Sequence, residues 1–98
     1  MKGNGDCFHK NGQIFIDYEC FDFLCHGTVV GQGEIKGIKH THCWIELGDV
    51  VFDYSNGKKT IMRKERYYEI GKIKDIKRYM IEKAKKLMLK TKHWGTWE

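Results

Sequence analysis

Hydrophobic residues in the first quarter of the chain recur with a helical period. Phe8, Gly12, Phe15, Ile16, Cys20, Phe23 and Leu24 fall on one stripe at the spacing of successive helical turns. The pattern predicts a helix over 7–24, with Asp6 suited to its N-cap. Gly12 is costly inside a helix, so its presence marks a place where a neighbour packs closely. The competing pattern is an Asn11-Gly12 turn followed by alternating Ile14, Ile16 and Tyr18. The helical stripe accounts for more residues.

Beyond the stripe the period shortens. A strand is expected at 27–31, then a loop punctuated by Gly31, Gly33 and Gly37. Those glycines are too irregular for a phosphate-binding fingerprint, and no Lys-Ser/Thr follows them. In "KHTHCWIELGDVVFDYS", residues 39–55, Gly48-Asp49 suits a two-residue type II′ turn between strands near 41–47 and 50–55. A further strand is expected around 64–70. Ile76, Met80, Ala84, Leu87 and Met88, with lysines opposite, predict a second helix over 75–92 capped by Asp75. His93, Trp94, Gly95 and Trp97 form an aromatic tail expected to fold back onto the core. The expectation is therefore one α+β domain over residues 1–98. It has an N-terminal helix, a central antiparallel sheet of three or four strands, and a C-terminal helix.

The hairpin sorts its own side chains. A two-residue turn sets Leu47 opposite Val50, Ile45 opposite Phe52, Trp44 opposite Asp53 and His42 opposite Ser55. Alternation then gives one apolar face with Cys43, Ile45, Leu47, Val50, Phe52 and Tyr54. The other face carries His42, Trp44, Glu46, Val51, Asp53 and Ser55. Asp53 lies diagonally across from His42, roughly 7–8 Å away by Cα and within side-chain reach. Such a pair either braces the hairpin or orients an imidazole for catalysis. The hairpin alone favours neither.

A catalytic pair needs a nucleophile, and Cys7 stands in the first turn of the predicted helix. Helix-terminal amides and the dipole favour a thiolate there, while the neighbouring Asp6 opposes it. Cys20, Cys25 and Cys43 read as small buried hydrophobes. No apolar run approaches the ~18–20 residues of a membrane span, and no signal-peptide core follows Met1. The expected compartment is the cytoplasm, with reduced thiols and no membrane partner. Cys25-His26 and His40-x-His42-Cys43 are rich in metal-binding groups. However, no C-x₂-C pair occurs, and Cys43 faces away from His40 and His42. Neither a metal nor a cofactor is expected.

Charge divides the chain. Residues 1–57 hold 4 basic and 8 acidic side chains, and residues 58–98 hold 14 basic and 5 acidic. The basic half is either a solvated lysine face or a dock for an acidic protein or nucleic acid. Tyr67, Tyr68, Trp94 and Trp97 fall on predicted core edges instead of interleaving along a strand face, which argues against stacking on nucleic acid.

"GDC" at 5–7, "HCWIE" at 42–46 and "VVFDYS" at 50–55 together resemble the transglutaminase-core branch of the papain-like cysteine peptidases. That family runs in the order Cys, His, Asp. The resemblance implies Cys7 as nucleophile, His42 as general base and acid, and Asp53 as the orienting carboxylate. Trp44 would pack beside the imidazole, and Asn4 is the side chain placed to complete an oxyanion hole. Cys43 stands where the family has alanine. The implied chemistry is thiol attack on an amide of a protein or peptide substrate, then hydrolysis or acyl transfer. The chain is also similar to small uncharacterised bacteriophage and bacterial proteins with an H-x-W-I-E…D-Y-S-N-G run and a helix ending in H-W/Y-G. That likeness leaves open a non-catalytic binding protein in the host cytoplasm, engaging a host protein or acidic surface through the basic C-terminal region.

Overall fold

The computed structural model describes residues 6–30, 39–54, 59–95 and 97. In chain order the elements are α1 (Asp6–Tyr18), β1 (Phe23–Val30), β2 (Lys39–Leu47) and β3 (Val50–Asp53). These are followed by β4 (Thr60–Arg63), α2 (Lys64–Gly71), β5 (Lys74–Tyr79) and α3 (Ile81–Thr91). The strands form one antiparallel sheet in the order β4-β3-β2-β1-β5. The α+β class and both terminal helices agree with the sequence pattern. The sheet has five strands instead of three or four, and a short helix is added.

The β2–β3 hairpin follows the alternation closely. Leu47 pairs with Val50 and Ile45 with Phe52. Gly48 supplies the positive φ, +57°, that the first position of a type II′ turn requires. The face with Cys43 and Ile45 joins Phe15, Leu24, Tyr79 and Ala84 in one core, with Phe52 and Tyr54 packed against it. The face with Trp44 and Val51 joins Cys25 and Val29 in a second core, against which Tyr67, Tyr68, Ile73 and Ile76 pack. Helices α1 and α3 therefore serve one side of the sheet and α2 the other.

Three expectations are corrected. The first helix ends at Tyr18, not at 24, because Glu19 turns left-handed (φ 53°). Phe23 and Leu24 continue the helical spacing by coincidence and open β1, whose partners are Glu46 and Ile45. As a result Cys20 is exposed, not part of the stripe, and Cys25 is buried in a strand, not at a helix end. Residues 64–70 are helical, not a strand. The four-residue strand β4 precedes them, and Lys72 ends the helix in the left-handed region (φ 48°). Finally, 75–92 is not one helix. Residues Lys74–Tyr79 complete the sheet beside β1, and α3 begins only after the extended Met80. Asp75 is thus a strand residue at φ 54°, not a cap.

Phe15 is wholly buried on α1, and such burial stabilises by about 1.5–3 kcal/mol. The aromatic tail does fold back. Trp97 packs on His26 and Tyr79 with ring centroids 5.1 Å away in both cases, and Trp94 lies over Gly12. A methyl group built at Gly12 would come within 2.4 Å of the Trp94 ring. Gly12→Ala should therefore destabilise by about 1–3 kcal/mol through overpacking, despite the roughly 1 kcal/mol that alanine gains in a helix. Urea unfolding checks this. In a Trp94→Ala background the same substitution should become neutral or stabilising, and an equal loss in both backgrounds would contradict the contact.

Candidate active site

Cys7, His42 and Asp53 come from three elements, α1, β2 and β3, and the fold brings them together. His42 Nε2 donates to Asp53 Oδ2 at 2.8 Å. The Cys7 side chain hydrogen-bonds to the same imidazole, and Nδ1 is the ring nitrogen left for it. Cys7 is 2% exposed and Asp53 8%, so the cluster meets solvent chiefly through the His42 ring. Trp44 stacks beside that ring, with centroids 6.3 Å apart and planes at 22°. Asn4, Ser55 and the Asp6 side chain, on which expectations were placed, lie outside the described residues.

Two members of the site are not evident from the sequence motifs. Asn11, wholly buried, donates from Nδ2 to Asp53 Oδ1 at 3.0 Å. Tyr67 donates its hydroxyl to Asp53 Oδ2 at 2.8 Å. Asn11 could have been found from its spacing, since it follows Cys7 by one helical turn and shares its face. Tyr67 could not, because the strand assigned to 64–70 aims it elsewhere.

These contacts set the charges. Burial opposes a positive His42. The hydrogen bonds with Asp53 and Cys7 outweigh it and raise the imidazole pKa from 6.5 to about 10. Burial also opposes a charged Asp53, but His42, Asn11 and Tyr67 together hold its carboxyl well below the ordinary 3.8. Burial, then the Asp53 charge, pushes the Tyr67 hydroxyl upward, so it stays a donor. Burial likewise raises the Cys25 and Cys43 thiols, which keeps them neutral and unreactive.

Behind Trp44 sits a second buried carboxylate. Glu46, 1% exposed, accepts from Trp44 Nε1 at 3.0 Å, from Arg78 Nε at 3.0 Å and from the Tyr68 hydroxyl. Burial works against its charge, and those donors lower its pKa nonetheless. This network also takes in Lys64, whose Nζ lies 3.7 Å from Glu46 Oε1. Its effect on the site is to fix the Trp44 ring against His42.

Among the described residues no His/Cys/Asp/Glu group has metal-binding geometry, and no helix is long and apolar enough to cross a membrane. Comparison with family models, curated proteins and solved structures finds no match to this chain.

The His42–Asp53 pair predicts a pH window. His42 has a raised pKa, so its contribution is full below about pH 6.5 and is lost as pH climbs through about 10. Asp53 has a lowered pKa, so its contribution is present above about pH 3.8 and is lost as pH falls. The melting-temperature gap between wild type and Asp53→Asn should be widest between about pH 4 and 6.5 and narrow on both sides. A gap independent of pH would contradict the pairing.

Proposed function

We propose that the protein is a thiol-dependent amide hydrolase or acyltransferase, with Cys7 as nucleophile, His42 as proton carrier and Asp53 as the orienting carboxylate. The observation that carries this reading is the continuous chain from the Cys7 side chain through the His42 ring to a buried carboxylate. A structural His–Asp brace requires no thiol on the second ring nitrogen.

The raised proton affinity of His42 lets the imidazole take the Cys7 proton and leave a thiolate beside an imidazolium. The thiolate attacks the carbonyl carbon of an amide. A carbon–sulfur bond forms, and the carbonyl electrons move to oxygen, where the first-turn amides of α1 can donate. The imidazolium then protonates the amide nitrogen, the carbon–nitrogen bond breaks, and an amine leaves. Water or a second amine attacks the thioester and gives its proton to His42. Breaking the carbon–sulfur bond restores the ion pair. Asp53 keeps the ring oriented throughout and stabilises its charged form.

A second reading rests on the helix α3, whose exposed Lys83, Lys86 and Lys90 share one face. It makes the chain a non-catalytic partner for an acidic protein surface, with binding that weakens as salt rises.

Alkylation separates the two. Iodoacetamide at about pH 6 should modify Cys7 ahead of the exposed Cys20. His42→Ala should slow the Cys7 reaction by about 10²-fold or more, in the range of a lost proton carrier. If Cys7 never reacts ahead of Cys20 at any pH, the enzymatic reading fails and the binding reading gains.

A further inference from the structure

Among the described residues the ladder between β2 and β3 ends at Ile45 and Phe52, and what stands at the next position is a side chain of α1. In an antiparallel pair, opposed residues alternate between exchanging two hydrogen bonds and exchanging none. The two-residue turn makes Leu47 and Val50 a bonded pair, so Ile45 and Phe52 form the next. Cys43 and Tyr54 would be the third. Instead, Asn11 lies between them. Its Nδ2 donates to the Cys43 carbonyl at 2.9 Å, and its Oδ1 accepts from the Tyr54 N–H at 2.8 Å. A carboxamide offers the same donor and acceptor as a peptide unit. Both backbone groups are therefore satisfied while the strands stay apart. The second Nδ2 proton goes to Asp53 Oδ1 at 3.0 Å.

This inserted rung solves a geometric problem. Alternation puts Cys43 on the side of the sheet served by α1 and His42 on the opposite side. A thiol on α1 would be screened from His42 by a closed ladder. With the strands held apart beside Cys43, it reaches the imidazole. Asn11 follows Cys7 by one turn, so the contact that opens the gap also fixes where the thiol sits along it.

We infer that Asn11 is a positioning residue, whose carboxamide replaces one rung of the hairpin, lets Cys7 reach His42 and holds the Asp53 carboxylate against the ring. Its consequence for catalysis rests on the thiol reading above; its consequence for the His42–Asp53 pair does not.

Two measurements on the full chain test it, the His42 ring titration by NMR and the Cys7 alkylation rate at about pH 6. The variants are Asn11→Ala, Asn11→Ser and Tyr67→Phe. With alanine or serine at 11, the His42 midpoint should fall by about one pH unit or more, a tenfold loss of proton affinity. Cys7 alkylation should slow at least about tenfold over the same range. Serine offers a hydroxyl to only one of the three partners, so it serves if the alanine variant does not fold. Tyr67→Phe removes a donor to Asp53 but leaves the rung, and should change the midpoint and the alkylation rate by less than the Asn11 variants do. Folded Asn11 variants with the wild-type midpoint and rate would overturn the inference. If the midpoint moves while Cys7 is inert even in the wild type, the inserted rung stands and the thiol reading falls.

Discussion

A buried carboxylate with three side-chain partners is the constraint around which this small fold is organised. Asp53 is held charged inside the protein, and an unpaired buried charge is too costly for a marginally stable domain. Its partners arrive from separate elements, Asn11 on α1, His42 on β2 and Tyr67 on α2. None of these is near it in sequence, so the charge is satisfied only when both layers flanking the sheet are docked. The His42 contact, together with the hydrogen bond to Cys7, also makes the imidazole basic. Folding and the chemistry of the site thus draw on one set of hydrogen bonds.

Glu46 repeats the arrangement seven residues earlier. It too is buried and charged, and it too gathers donors from α2 and from the sheet, Tyr68, Trp44 and Arg78. The two carboxylates divide the paired tyrosines of α2 between them, Tyr67 to Asp53 and Tyr68 to Glu46. Trp44 lies between the networks, its indole nitrogen on one and its ring face against the imidazole of the other. A short helix with no fully buried residue of its own is thereby tied to the sheet by polar contacts and aromatic packing.

Much of this was legible in the sequence, and the exceptions have physical causes. Hairpin parity placed His42, Trp44 and Asp53 on one face because strand alternation and a two-residue turn leave no freedom. The spacing of Cys7 in the first helical turn was equally direct. The helix over 7–24 ran too long because Phe23 and Leu24 fit a helical period as well as a strand, and only pairing with β2 decides between them. Residues 74–79 misled for the same reason, since Ile76 and Met80 continue the stripe of α3. The helix α2 was hidden by adjacent tyrosines whose faces are set by the buried carboxylates they reach. Asn11 was visible as a residue but not as a rung, because its role depends on where an independent hairpin stops pairing.

Transfer of the Cys7 proton to His42 is read without any substrate by the ultraviolet absorbance of a thiolate. The difference between wild type and Cys7→Ser should show one thiolate already present at about pH 6, disappearing only in acid well below the free-thiol range. The same difference recorded on a His42→Ala background should move up toward about 8.5. A Cys7 thiolate that appears only at that ordinary value in the wild type, with or without His42, would contradict the account.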